Sequence, residues 1–197
     1  MNGNWFQVPG QNCPVALGNT PCETSLDCTK SLSTNPNCGD LEIHINSKGQ
    51  WFYQKSEITR ERLIRLFSNI LKKEGEKYFL VTPVEKVGIR VDDVPFIAND
   101  IFVSKIVNKS IVKFQTNVGD HITLDELDKF YIDFKKETGE PNPYVRVRAN
   151  LFAKIDRKCF YRLIDLCCNK KIERKSWFGF WSNKTFFPIT ETLNIDL

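Results

Sequence analysis

The segment ITRERLIRLFSNI, residues 58–70, has a counterpart further along the chain in IDRKCFYRLIDLC, residues 155–167. Each begins with three matching residues: an Ile, then a residue that can cap a helix (Thr59 or Asp156), then an Arg. The apolar residues of both segments recur at helical spacing. The pattern predicts two amphipathic helices that begin at these caps, the second ending near residue 169. Alternating apolar residues typical of strands flank both helices. The sequence therefore predicts a duplicated strand–helix–strand unit.

This repeat divides the chain into three parts. Residues 1–37 are rich in Cys, Pro and Asn and have no periodicity, so we expect an irregular tail. We expect residues 38–108 to form the first α+β unit and residues 109–197 the second. Short strands separated by turn residues predict mostly antiparallel sheets, and the aromatic residues around 182–183 predict a hairpin that closes the chain.

Composition excludes several classes of protein. Hydrophobic residues make up 41% and charged residues 26% of the 197 residues, values that are ordinary for a globular protein and foreign to collagen, wholly disordered chains and disulfide frameworks. No apolar run is long enough to cross a bilayer. The residues before Lys30 lack both a basic segment and an apolar stretch of the kind found in signal peptides, so we expect a cytoplasmic protein.

The charge of +4 is unevenly distributed along the chain. Residues 120–140 carry a net charge of −4 and residues 146–184 a net charge of +8. A basic stretch is either a solvated surface or a contact for an anionic ligand or surface, and the sequence leaves both interpretations open.

Residue patterns of catalytic and metal sites are missing. The first four cysteines lack the close pairs that zinc sites use, so we predict no metal site. Cys167 and Cys168 lie on the predicted second helix, where buried thiols are common, and support a redox role only weakly. His44 and His121 have no partner that the sequence can identify. Asp92 and Asp93 are adjacent, so their side chains should point apart, and a turn is the better interpretation.

The predicted ligand-binding residues come from three places. Tyr144, Arg146 and Arg148 alternate along one strand, where two guanidinium groups could bind an anion beside a ring. A charge-protected edge strand explains the same pattern equally well. Glu85 and Lys86 lie at the start of another strand. Trp181 and Asn183 lie at the tip of the predicted hairpin, where an exposed ring could stack on a ligand.

From Cys38 to Pro188 the chain resembles a bacterial family catalogued as domain of unknown function 1285. The stretches that carry the resemblance are residues 38–40, 51–53, 65–68, 80–87, 91–96, 116–120, 139–148 and 181–183. The family often has Gly where Lys55 and Lys184 stand, so we expect those two turns to differ in shape.

The resemblance implies a duplicated core whose C-terminal part looks like a pleckstrin-homology fold. It also implies a ligand site at the interface between the units, for a nucleotide-like compound, and a signalling role without catalysis. We therefore expect a non-enzymatic small-molecule-binding or sensor module whose ligand is anionic and lies in the cleft between the repeats. The alternatives are an enzyme with a site at the same cleft and an RNA-binding protein, which the modest basic charge disfavours. The sequence names no cofactor and no protein partner.

Overall fold

The structure is a computed structural model that describes residues 37–106 and 109–192. The predicted tail lies outside the described residues except for Asn37, which begins the first strand. No helix in the described part of the chain is long and apolar enough to cross a membrane.

Within the described residues the chain forms fifteen strands and two α-helices. The first half contains β1 Asn37–Ile45, β2 Trp51–Tyr53, β3 Ser56–Glu57, α1 Glu61–Ile70, β4 Leu71–Glu74, β5 Lys77–Val81 and β6 Lys86–Val91. The second half begins with β7 Phe96–Ile106, β8 Lys109–Thr116, β9 His121–Thr123, β10 Phe130–Phe134, β11 Pro141–Arg148 and β12 Leu151–Ile155. It ends with α2 Arg157–Ile164, β13 Cys168–Ile172, β14 Lys175–Ser182 and β15 Thr185–Thr192.

The strands form three sheets with orders β3-β2-β1-β6-β5-β4, β10-β11-β12-β7-β8-β9 and β13-β14-β15. β1 pairs with β6 and β12 with β7 in parallel, whereas the other pairs described are antiparallel. The expected class, strands and helices with mostly antiparallel sheets, is confirmed at that level. The described residues contain more strand than the sequence suggested, because alternation of apolar residues continues through most of the chain.

Two similar units are present, and each contains a helix followed by a three-stranded antiparallel meander. β4–β6 follow α1 and β13–β15 follow α2 at nearly the same sequence offset that relates the two helices. The first meander joins its sheet through the parallel pairing of β6 with β1, whereas the second forms a sheet of its own. The third sheet packs on the second through Ser182, whose buried hydroxyl accepts a hydrogen bond from Val112 N at 3.0 Å and donates one to the carbonyl of Leu124.

The helix caps differ between the two units. The Asp156 carboxylate accepts a hydrogen bond from Cys159 N at 2.7 Å, which confirms the predicted cap of α2. Thr59 is not the cap of α1, because that helix begins one residue later with Arg60 at the N-cap and no side-chain hydrogen bond. α2 also ends at Ile164, earlier than predicted, because the following residues leave the helix for β13.

The change from the first sheet to the second falls between β6 and β7, rather than at residue 108 where the sequence analysis divided the chain. β7 pairs with β8 and, in parallel, with β12, so it belongs to the second sheet. The apolar pattern of a strand does not identify its partner, and β12 lies far along the chain. One core of buried side chains nevertheless runs through both units, from Ile43 and Trp51 in the first to Phe96 and Phe180 in the second.

Candidate functional site

A cleft of about 390 Å³ lies where the two units meet. Its first wall comes from the β4–β5 hairpin of the first unit and its second wall from β10–β12 of the second, with the segment that follows β6 between them. The lining residues are Lys73, Tyr78, Asp93, Val94, Tyr131, Ile132, Asp133, Tyr144 and Phe152.

Three aromatic rings form the second wall of the cleft. β10 and β11 pair with Tyr131 opposite Tyr144, and the two rings stack with centroids 5.0 Å apart and planes 19° apart. Phe152 on β12 meets Tyr131 edge to face at 5.3 Å. Tyr131 is 43% exposed, so this stack presents a ring face or edge to solvent beside the cleft.

The Asp93 carboxylate holds the second wall to the segment that joins the two sheets. The Tyr144 hydroxyl lies 3.2 Å from each carboxylate oxygen of Asp93, and Lys154 Nζ lies 3.3 Å from Oδ2. Its neighbour Asp92 turns away and contacts His44 Nε2 at 2.8 Å, so adjacent carboxylates point apart as expected. The same contact gives His44 the partner that the sequence could not identify.

The phenols of the cleft stay protonated at neutral pH. Burial, followed by the Asp93 carboxylate, raises the pKa of Tyr78 to about 12. Burial and the same carboxylate raise the pKa values of Tyr131 and Tyr144. These groups are therefore hydrogen-bond donors and stacking surfaces rather than general bases.

Lys73 contributes a positive charge from the first unit. Its Nζ lies 5.4 Å from the centroid of the Tyr78 ring and 3.6 Å from Glu76 Oε2. The Glu76 side chain is 96% exposed, and an ion pair to so exposed a carboxylate is weak. The ammonium group therefore remains able to contact an anionic group in the cleft.

The two predicted arginines bind carboxylates of the protein itself. Arg146 forms an ion pair with Asp128. Arg148 Nη1 lies 2.6 Å from Asp120 Oδ2, and its Nη2 donates to the carbonyl of Ser68 at the end of α1. A break in the pairing register of β11 and β12 separates the two arginines, so simple alternation does not describe their positions.

Part of the uneven charge of the sequence is thereby explained. The partners of Arg146 and Arg148 lie in the acidic stretch 120–140, and so does Glu140, which Arg157 contacts at 3.0 Å. The acidic and basic stretches thus pair with one another across the second sheet.

The remaining predicted residues lie away from the cleft. Lys86 pairs with Glu74 and its Nζ lies 4.3 Å from the Phe79 ring centroid, while Glu85 lies in the Thr82 turn. Trp181 is 41% exposed, with Lys170 Nζ 4.2 Å from its ring centroid. Asn183 is a turn residue whose N–H donates to Ser110 O at 2.8 Å. Of the seven predicted residues, the structure brings Tyr144 alone to the lining of the cleft.

Sequence reasoning missed most of the lining. Tyr131 and Tyr144 become neighbours through the register of a hairpin, and Tyr78 joins them through the packing of two sheets. A weak signal was present in Asp93, which the sequence analysis treated as a turn residue.

A smaller groove of about 170 Å³ lies between α1 and the second sheet. Its walls contain Glu61, Ile64, Arg65, Asn99, Gln115, Thr116, Asn117, Val118 and Gly119. Residues of both units therefore line this groove too.

The described residues contain no cluster of metal ligands, and two of their three free thiols have raised pKa values. Across 37–106 and 109–192 no three His, Cys, Asp or Glu side chains cluster as metal ligands would. Cys159, Cys167 and Cys168 are free thiols. Burial raises the pKa of Cys159 to about 12 and that of Cys167 to about 11, so both stay protonated at neutral pH.

Comparisons with known proteins agree with this architecture. Residues 33–94 match the model "Domain of unknown function (DUF1285), N-terminal domain" and residues 95–189 match "Protein of unknown function (DUF1285), C-terminal domain". The boundary between the two models falls where the chain passes from the first sheet to the second. No curated protein is similar enough to match.

Two crystal structures of the family are similar to this chain. A DUF1285 family protein from Silicibacter pomeroyi DSS-3 is 48% identical, with a TM-score of 0.72 over 81% of this chain and 85% of that one. A DUF1285 family protein from Shewanella baltica OS155 is 25% identical, with a TM-score of 0.52 over 64% of this chain and 91% of that one. The chain belongs to the DUF1285 family.

Proposed function

We propose that this protein is a non-enzymatic small-molecule-binding module whose ligand lies in the cleft between the two units. The observation that carries the proposal is the cleft itself, in which aromatic rings, carboxylates and a lysine converge from both units. Its volume of about 390 Å³ falls within the range of roughly 300–1,000 Å³ that small-molecule sites occupy.

The chemistry of the walls favours a flat, nucleotide-like ligand. A heterocyclic ring would pack against the exposed ring of Tyr131, which the stacked Tyr144 holds in place. Amino or hydroxyl groups of the ligand would donate to the carboxylates of Asp93 and Asp133 on either side. Lys73 would bind an anionic group such as a phosphate.

The ion pairs of Arg146 and Arg148 change the residue that we expect to bind the anionic group of the ligand. Arg146 and Arg148 are paired with carboxylates, so binding an anion there would require breaking both ion pairs. We therefore assign the anionic end of the ligand to Lys73 and the recognition of the ring to the tyrosines.

We propose a sensor role, which the same geometry supports. Because residues of both units line the cleft, a bound ligand contacts both and favours one arrangement of them. We propose that this coupling passes a signal to a partner, with the C-terminal part serving as a scaffold of pleckstrin-homology type. A cytoplasmic setting suits the free vicinal thiols of Cys167 and Cys168.

The first test is a search for a ligand. Native mass spectrometry of freshly purified protein should show a small molecule bound to the folded chain. Calorimetric titration with adenosine and AMP then separates ring recognition from anion recognition, and mass spectrometry of each mixture should show the compound unchanged. Turnover of a bound compound would favour the enzyme alternative instead.

Matched variants locate the ligand. Asp93→Asn removes a charged acceptor of the cleft, whereas Asp92→Asn changes the adjacent carboxylate, which faces His44. Loss of a hydrogen bond to a charged group should weaken binding of the nucleoside about ten- to a hundredfold in Asp93→Asn and leave Asp92→Asn unchanged. Tyr131→Ala should weaken it too, while Tyr161→Ala, an exposed tyrosine on α2, should not. Parental affinity in both Asp93→Asn and Tyr131→Ala would place the ligand elsewhere.

A further inference from the structure

The groove between α1 and the turn after β8 is separate from the tyrosine-lined cleft. Glu61, Ile64 and Arg65 on α1 form one wall, and residues 115–119 with Asn99 form the other. No residue lines both this groove and the cleft. Any site in the groove would therefore have its own chemistry.

Arg65 is an unpaired cation in this groove. Within the described residues its guanidinium forms no ion pair and no hydrogen bond, unlike Arg146, Arg148 and Arg162, each of which binds a carboxylate. The Glu61 carboxylate, one helical turn earlier in the same wall, is not paired with it either. Within the part of the chain that the structure describes, the groove thus contains an unpaired guanidinium and an unpaired carboxylate.

Backbone geometry keeps the guanidinium close to the opposite wall. Gly119 has φ +91°, and a Cβ added there would lie 3.1 Å from Arg65 Nη2. A Cβ at this position would require the guanidinium to shift by a few tenths of an ångström, and the residue would adopt a backbone conformation that glycine tolerates best. Glycine therefore suits the close approach of Arg65 to the turn.

Two amide side chains supply further donors. Asn99 lies at a break in the pairing register of β7 and β8, between Ala98 and Asp100, where a bulge can redirect a side chain. Gln115 is the neighbouring residue of the wall on β8. In the described structure neither side-chain amide has a hydrogen-bond partner, so both are available to a ligand.

We propose that this groove binds inorganic phosphate, which still carries a proton near neutral pH. The Arg65 guanidinium would bind two phosphate oxygens in its fork and the amides of Asn99 and Gln115 would donate to the others. Near neutral pH phosphate still carries a proton, and that P–OH group would donate to the Glu61 carboxylate. Sulfate carries no proton at this pH, so it would leave Glu61 without a donor and place two negative charges side by side. The groove, at about 170 Å³, admits a phosphate but not a whole nucleotide.

The test is titration of the full chain with inorganic phosphate, sulfate and ribose 5-phosphate. Calorimetry measures the affinity for each compound, and the 31P signal reports on the two that contain phosphorus. We expect phosphate to bind at least tenfold more tightly than sulfate. Ribose 5-phosphate has lost nearly all of its P–OH protons near neutral pH, since its second pKa is about 6, so it should bind as weakly as sulfate. Absence of phosphate binding, or equal affinity for phosphate and sulfate, would overturn the proposal.

Variants on α1 assign the roles. Arg65→Gln should reduce phosphate affinity at least tenfold, whereas Arg62→Gln, an exposed arginine of the same helix outside the groove, should leave it unchanged. Glu61→Gln should remove the preference for phosphate over sulfate, because an amide can donate to either anion. Parental phosphate affinity in Arg65→Gln would overturn the proposal, and Arg65→Lys tests whether charge alone suffices should Arg65→Gln unfold. Adenosine, which has no phosphate, reports on the tyrosine-lined cleft independently of these variants.

Discussion

Arg148, on the last strand position of β11, donates a hydrogen bond to the carbonyl of Ser68 in the last turn of α1. The same guanidinium contacts Asp120 at 2.6 Å, and its central carbon lies 5.3 Å from the Phe96 ring centroid. One side chain thus joins the helix of the first unit to the second sheet. Arg148, which the sequence predicts to hold a ligand, is thus a structural link between the units.

Arg148→Ala should therefore destabilise the whole protein. Hydrogen bonds that involve a charged group typically contribute about 1.5–3 kcal/mol, and the variant leaves the Asp120 carboxylate without its partner. The control is Arg157→Ala, whose side chain is 74% exposed and whose pair with Glu140 should matter little. Urea denaturation of the three proteins measures the difference in the free energy of unfolding. Equal midpoints for both variants would show that Arg148 does not link the units.

The two helix caps should respond differently to truncation. Asp156→Ala removes a side-chain hydrogen bond to Cys159 N and should cost about 1 kcal/mol. Thr59→Ala should have little effect, because Arg60 is the N-cap of α1 and Thr59 lies one residue outside it. Thermal unfolding of both variants makes the comparison. A loss at Thr59 as large as that at Asp156 would mean that the first helix begins earlier in solution.

The tyrosines of the cleft predict a loss of stability at high pH. The folded-state pKa of Tyr78 is about 12, above the value near 10 of an unfolded chain, so its contribution is complete below pH 10. It is lost as the pH rises from about 10 to 12, since the unfolded state then releases the proton first. Tyr78→Phe should flatten the stability profile over that interval, and Tyr161→Phe, at an exposed position, should not. Unfolding midpoints measured between pH 8 and 12 provide the test, and identical slopes in parent and Tyr78→Phe would contradict it.

Lys184→Gly should stabilise the protein. Asn183 and Lys184 form the two-residue turn between β14 and β15, and both have positive φ, Lys184 at +68°. A residue with a side chain is strained there, whereas glycine is not, so the exchange should raise the free energy of unfolding by about 0.5–1 kcal/mol after the extra entropy of the unfolded chain is subtracted. Lys175→Gly, at the start of β14, should instead lower it. Chemical denaturation of both variants separates the effects, and destabilisation by Lys184→Gly would exclude strain at this turn.

The backbone conformation at Lys184, and at Lys55 in the β2–β3 turn, can be compared with what the family resemblance predicts. The family often has Gly where Lys55 and Lys184 stand in this chain, and this difference predicts turns of a different shape. Both lysines have φ +68°, so the chain keeps the left-handed conformation without glycine. Each is the second residue of a two-residue hairpin loop, a position that requires positive φ when the turn is of the primed type.

Local features of the fold were predictable and non-local ones were not. The Asp156 cap depends on residues within one turn, and the structure contains it. The apolar face of α1 was predictable only in part, since Phe67 and Ile70 pack against the core but Leu66 is 56% exposed. The partner of β7 could not be predicted, because a strand of Val, Ile and Phe pairs equally well with several others. Strand alternation suggested that Arg146 and Arg148 shared a face, but it could not reveal the register break between them or the carboxylates of Asp128 and Asp120 opposite.

The candidate site illustrates the same limit. Its approximate location at the junction of the units was expected from the resemblance, whereas its lining came from side chains that no short motif connects. Tyr78 and Tyr131 are brought to one cleft by the packing of two different sheets. A single sequence does not reveal which distant residues pack together. Correlated substitutions among homologues would be needed to predict such contacts.

The parallel pairing of β7 with β12 has a consequence for synthesis on the ribosome. Phe96 pairs with Ala153, so β7 is made long before the strand that covers its second edge. Its hairpin with β8 can form early, but the other edge waits for β12 to leave the exit tunnel. Unpaired strand edges of this kind recruit neighbouring chains. A nascent chain that ends before residue 151 therefore exposes an apolar edge, and slow translation through residues 109–150 would prolong that exposure.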